Sequence, residues 1–152
     1  MMPVADDEVA ALRAMLKGDV ERHNELFAQI DQDRVAKYYM ALLSAAFAIA
    51  VMRRFGNGHT HREIAEFVAE TRLWAENPAT RIDQAAGEQV IGAVLGEAPA
   101  QDVDEDAEFD AQFQLLIALV VAEKPDDAGL DAFLADARTR ADEMIEARYG
   151  PS

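Results

Sequence analysis

Residues 38–52 read YYMALLSAAFAIAVM, fifteen consecutive positions without a charge. The run falls short of the roughly 20 apolar residues that cross a bilayer as a helix, so it reads as a buried helix and not as a membrane span. Its alanines permit close backbone approach, which suits the centre of a bundle or a subunit interface. Extended upstream to Asp33 as a cap and downstream to Phe55, the helix would be on the order of 33 Å long at 1.5 Å per residue. That is enough to cross a domain, and its apolar circumference marks it as the element around which the others pack.

The flanking sequence repeats the helical period and almost never the strand period. Upstream, Asp6 or Asp7 is placed to cap a helix that puts Val9, Leu12, Met15 and Leu16 on one face and stops at Gly18. A second helix, about 19–30, carries Val20, His23, Phe27 and Ile30 inward. Downstream, Thr60-His61-Arg62-Glu63 matches a capping box, and Ile64, Phe67, Val68, Thr71 and Trp74 form the stripe that follows, with Trp74 assigned to the core. Asn77-Pro78 ends that helix because the residue before proline avoids helical geometry. Asp83 opens a fifth helix with Val90, Ile91, Val94 and Leu95 inward; its Gly87 and Gly92 weaken it intrinsically and are assigned to close helix–helix approach. A sixth emerges from QDVDEDAEFD (101–110) into FQLLIALVVA (113–122). A seventh, from about Asp127 to Gly150-Pro151, aligns Leu130, Phe133, Leu134, Ala137, Ala141, Met144, Ile145 and Arg148 along one side.

The fold class is therefore all-α: a single-domain bundle of about six to seven helices around a long apolar central helix at about 33–55. Residues 1–152 are read as one helical domain, with 97–105 as an acidic loop or linker inside it.

Charge is lopsided within a formal net charge of -15: residues 96–152 hold 15 acids against four bases, whereas 53–95 hold six against five. Nucleic-acid affinity comes largely from neutralising phosphates with Lys and Arg, so such a chain is not read as a DNA or RNA binder. An acidic surface serves solubility or meets a basic partner. The chain has no cysteine, which excludes disulfides, thiolate zinc sites and cysteine nucleophiles and fits a cytoplasmic location. MMPVADDEVAALRAML at the start lacks a basic n-region and apolar h-region, so no signal peptide is expected.

One stretch departs from the acidic background. RRFGNGHTHRE, residues 53–63, gathers three arginines, two histidines and two glycines into eleven positions. Helix N-termini and glycine-rich turns bind anions, which makes Arg53, Arg54, His59, His61 and Arg62 the candidate ligand-binding residues. Turn chemistry accounts for the same residues: Arg53 and Arg54 suit a helix C-terminus, Gly56 or Gly58 a left-handed stop, and Thr60 with Glu63 the next cap. No Walker or dinucleotide fingerprint is present.

Metal and catalytic patterns fail on spacing. His59-x-His61 offers two ligands with Glu63 or His23 as a conceivable third, but HExxH is absent, and Val20, Gly56 and Gly58 stand where a Glu-x-x-His motif needs Glu. The alternating acids from Asp102 to Asp110 start like an EF-hand loop, then break at Ala107 and Phe113. Serine occurs only at 44 and 152, with no nucleophile elbow. No catalytic residue, metal or cofactor is assigned. THREIAEFVAETR (60–72) is similar over these few residues to a helix of helix-turn-helix proteins, but the next helix, DQAAGEQVIGAVLG, carries no Lys or Arg for a recognition role.

The functional expectation is a protein–protein interaction or accessory module that binds a protein partner or self-associates as a homodimer. The alternative is a small anionic-ligand binder, or an unassigned enzyme, using the Arg53–Glu63 loop.

Overall fold

The structure, a computed structural model, describes residues 4–75, 77–97 and 104–149. Its helices are α1 (Asp6–Leu16), α2 (Val20–Ala28), α3 (Gln32–Phe55), α4 (His61–Arg72), α5 (Gln84–Val94), α6 (Glu105–Glu123) and α7 (Asp127–Tyr149). A 3₁₀ turn, Pro78–Thr80, joins α4 to α5. No strand occurs among the described residues, so the chain is all-α with a long apolar helix at its middle, as the period predicts. Of the acidic segment 97–105, residues 98–103 lie outside the described residues, as does the Gly150-Pro151 stop.

Two helix starts differ from expectation. The N-cap of α1 is Ala5; Asp6 and Asp7 lie in the first turn, where their charge complements the helix dipole, and the Glu8 carboxylate reaches back to accept the Ala5 N–H at 3.2 Å. Asp31, not Asp33, caps α3, accepting the Asp33 N–H at 3.2 Å. Thr60 and Asp83 cap α4 and α5 as expected.

Helix α3 is not uniformly α-helical. Residues Val35–Tyr39 form a π turn, closed by the Met40 N–H donating to the Val35 carbonyl five residues back. With Gln32–Lys37 and Arg53–Phe55 added to the uncharged run, α3 reaches 24 residues and is long and apolar enough to cross a membrane by length and composition, beyond the fifteen-residue stretch that had argued against a span. Tyr39, Leu42, Leu43, Phe47, Ala50 and Val51 on it are nevertheless buried inside the protein, the behaviour of a core helix.

Contacts divide the chain into two compact units, Met1–Ala46 with Glu123–Ser152, and Phe47–Ala122. The first division falls inside α3.

In the first unit α1 packs on α2 and α7, and the π turn packs against α1 and α7. Leu12, Leu16, Ile30, Leu130, Phe133 and Leu134 are buried there, each such side chain contributing about 1.5–3 kcal/mol by leaving water. Two polar groups enter this apolar interior with partners. Glu8, 1% exposed, accepts from Arg34 Nη2 at 2.6 Å. His23 sets Nε2 3.2 Å from the Tyr39 hydroxyl while stacking on Phe27, with ring centroids 5.5 Å apart. Burial without a compensating charge raises the Tyr39 hydroxyl well above its ordinary pKa.

In the second unit α4 packs on α5. A Cβ on Gly87 would stand 2.7 Å from Val68 Cγ1, so this glycine does serve close helix approach. Gly92 does not: a Cβ there would meet the Glu97 carboxylate. Ile64, Phe67, Val68 and Thr71 are buried as the stripe predicts, but Trp74 is 56% exposed. The reason is geometric: α4 ends at Arg72, so the helical period no longer decides where residue 74 points. Val20 and Met144, expected inward, are exposed as well.

Candidate functional site

The stretch 53–63 folds as a helix–turn–helix junction within the second unit. Arg53 and Arg54 occupy the last turn of α3, where cations complement the carbonyl end of the dipole. The Gly56 N–H donates to the Met52 carbonyl at 2.8 Å, and Gly58 takes φ +123°, a left-handed conformation that side chains disfavour. The Thr60 hydroxyl then accepts the Glu63 N–H at 3.1 Å and stands 3.3 Å from Glu63 Oε1, to which it donates. The Glu63 carboxylate thus takes the hydroxyl proton, where a capping box would have it take the Thr60 N–H.

The five candidate residues have local partners of distinct kinds. Arg54 lies with its guanidinium carbon 5.0 Å from the centroid of the Phe67 ring, and Arg62 donates to Glu66 one helical turn on at 2.9 Å. His59 Nδ1 is 3.3 Å from the Phe55 carbonyl oxygen, and its Nε2 is 3.4 Å from Glu97 Oε1. His61 Nε2 is 3.8 Å from the same carboxylate oxygen. Arg53 is exposed at the helix end.

Glu97 is the residue that sequence reading did not bring here, since it stands 38 positions from His59. Its place is set by the end of α5. Gly96 takes φ +87°, its N–H donates to Ala93, and the Glu97 N–H donates to the Gly92 carbonyl at 2.9 Å, a Schellman stop that turns residue 97 back over the helix. The carboxylate so positioned faces both imidazoles. A phosphate or carboxylate bound at these imidazoles would have to share the place with this negative charge.

The chemistry of the junction is equally spare. His59 has acceptors at both ring nitrogens, so a neutral ring donates to only one of them at a time. No group of three or more metal-ligating side chains with a metal-holding arrangement occurs among the described residues. Two cavities in the first unit are lined by none of these five residues. Comparison with protein-family models, with curated protein sequences and with solved structures found no match to the chain.

Proposed function

We propose that the chain is a protein–protein interaction or accessory module of the cytoplasm, anchored by Leu73 and Trp74. One observation carries this reading: the two adjacent apolar side chains are 72% and 56% exposed. They do not dangle from a loose segment. The Leu73 N–H donates to the Glu70 carbonyl and the Trp74 N–H to Thr71, each at 3.1 Å, so the backbone that presents both side chains is tied to the end of α4. Holding a contact residue in place before binding reduces the entropy lost on association, and tryptophan is enriched among the few interface residues that carry most of the affinity.

The occupant we infer is a partner protein with an apolar pocket ringed by Lys and Arg. Residues 53–95, which contain the anchor, are nearly charge-balanced, whereas the chain as a whole carries -15. That charge attracts a basic rim and opposes a second copy of itself. A tryptophan buries about 150–250 Å², well below the roughly 1,000 Å² of a stable interface, so the pair is the anchor of a larger contact.

Native mass spectrometry of the untagged chain purified from its own cells, beside the Leu73→Ser/Trp74→Ser variant, tests the reading. The expected result is a second polypeptide that is lost in the variant and weakened by salt. A homodimer lost in the variant would keep the anchor and replace the partner by a second copy. A bare monomer, or a partner held unchanged by the variant, would overturn the proposal. Trp74 is the chain's sole tryptophan, so its fluorescence in the free protein should be readily quenched by acrylamide, and protected once a partner is bound.

A further inference from the structure

The first unit contains an unassigned hollow beside the π turn. It has a volume of about 340 Å³ and is walled by Ala36, Met40, Ala41, Met144 and Ile145, with Lys37 and Arg148 among its lining residues. Such a volume is at the small end of ligand pockets. At about 30 Å³ for each small group, a water's share of liquid volume, it holds roughly ten non-hydrogen atoms. A second hollow of about 480 Å³, lined by Phe27, Ile30 and Val35 among others, shares Ala36 and Met40 with the first.

Three features of this place belong together. The π turn Val35–Tyr39 supplies Ala36 and Lys37; such a bulge interrupts the regular hydrogen-bond ladder and is frequent at functional sites. The walls include Met40 and Met144, flexible thioethers that fit irregular apolar shapes, and Met144 is 40% exposed. The third feature is the charge. In a chain with 29 acids against 14 Lys and Arg, Arg13, Lys17, Arg34 and Arg138 of this unit each stand within 3.4 Å of a carboxylate. Lys37 and Arg148 make no ion pair with any described carboxylate. Both face the Tyr149 ring instead, with Lys37 Nζ 4.1 Å and the Arg148 guanidinium carbon 5.6 Å from its centroid.

We propose that this hollow binds a single-chain amphiphile with a carboxylate head, the tail lying against Ala36, Met40 and Met144 and the head received by Lys37 and Arg148. The apolar walls supply the affinity for a tail of about eight to ten carbons, and the two cations select an anionic head over a neutral one. The site shares no residue with the Leu73–Trp74 anchor, and either proposal stands if the other fails.

Decanoate below its micellar concentration is the probe, titrated by calorimetry and by NMR of the methionine methyl groups. The expected result is one saturable site, with shifts concentrated on Met40 and Met144. Decanol, which keeps the tail and removes the charge, should bind about tenfold more weakly, as should decanoate to the Lys37→Gln/Arg148→Gln variant. Butyrate, which keeps the head, should not saturate. If the double variant loses helical circular dichroism, Arg148→Gln alone, on an exposed side chain, should still weaken decanoate several-fold. Absence of a saturable site, equal binding of decanol, or indifference to these substitutions would overturn the proposal. So would failure to bind decanoate combined with variant-sensitive sedimentation on phosphatidylglycerol vesicles, which would make the patch a lipid-surface contact.

Discussion

The close approach of α4 to α5 predicts opposite signs for the same substitution at two glycines of one helix. Replacing glycine by alanine inside a helix gains about 1 kcal/mol from backbone entropy alone. At Gly87 the new Cβ would lie 2.7 Å from Val68 Cγ1 and 3.2 Å from Cγ2. Val68 is fully buried, and a β-branched side chain in a helix has essentially one rotamer, so the clash is relieved only by separating the helices. Such overpacking costs about 1–3 kcal/mol, which leaves Gly87→Ala destabilising by about 1 kcal/mol. At Gly92 the Cβ would stand 2.8 Å from Glu97 Oε2, the tip of a flexible, half-buried side chain. Moving it sacrifices at most a partly exposed contact with His59, worth about 0–1 kcal/mol, so Gly92→Ala should be neutral to stabilising by about 1 kcal/mol. Urea denaturation of both variants, of Val68→Ala and of Gly87→Ala/Val68→Ala gives the signs and the coupling. In the Val68→Ala background Gly87→Ala should turn stabilising, with a coupling of about 1–3 kcal/mol. If Gly87→Ala stabilises the wild-type background as much as Gly92→Ala does, or if its effect simply adds to that of Val68→Ala, the helices are not in the contact described.

Arg34→Met leaves the buried Glu8 carboxylate, among the described residues, with the Ala5 N–H as its remaining donor; the loss of a buried pair costs about 3–5 kcal/mol, and partial exposure of Arg34 lowers the expectation to about 2–3 kcal/mol by thermal or urea unfolding, with Glu8→Gln/Arg34→Met recovering part of it. Burial of Tyr39 raises its pKa above the ordinary 10.0, so the folded state keeps a proton that the unfolded chain releases: the stabilisation is complete below pH 10, declines as pH rises beyond it, and should vanish in Tyr39→Phe when urea midpoints are compared between pH 8 and 11. Thr60→Ala removes the α4 cap and should cost about 1 kcal/mol with no change in the protection of Trp74 from quenching, because the cap and the anchor lie at opposite ends of that helix.

Periodicity made the helices legible because each buries a stripe that local sequence alone specifies. Ile64, Phe67, Val68 and Thr71 in α4, and Leu130, Phe133, Leu134, Ala137, Ala141 and Ile145 in α7, are buried where the 3.6-residue period puts them. Capping residues were legible where a hydroxyl or carboxylate directly precedes the helix, at Thr60 and Asp83. They were not at α3, where Asp31 and Asp33 both offer a carboxylate and the earlier one caps, nor at α1, where Glu8 acts from inside the first turn while also receiving Arg34 from 26 positions away. The π turn left no trace in composition; α1 and α7 pack against it from distant parts of the chain. The basic junction was legible as turn chemistry, but Glu97, whose carboxylate faces both imidazoles, arrives through a second helix end that no local window contains.

Trp74 shows how the same periodicity fails, and why the failure is informative. A stripe at 64, 67, 68, 71 and 74 assumes that the backbone continues to rotate by 100° per residue, whereas the carbonyls of Glu70 and Thr71 are closed by three-residue steps to Leu73 and Trp74. Leu73 lies nine residues from Ile64, on the opposite side of an α-helix, and Trp74 lies beyond Arg72, the last residue of α4, where the rotation of the stripe no longer fixes its direction; both side chains stand in water. Lys37 and Arg148 follow a parallel logic: one stands in the π turn and the other one turn beyond Met144 and Ile145, on the side of α7 that its apolar positions define. At Trp74 and Arg148 the end of a stripe leaves exposed a side chain that the core pattern would have used, at a cost in burial that a bound partner or ligand would offset. Measured stability should reflect this: replacing Leu73 and Trp74 by serine should leave the free chain as stable as before, within about 0.5 kcal/mol for exposed positions, while Phe67→Ala on the same helix should cost about 3–5 kcal/mol. Equal losses at both places would mean that the indole is packed, and the anchor would have no surface to act from.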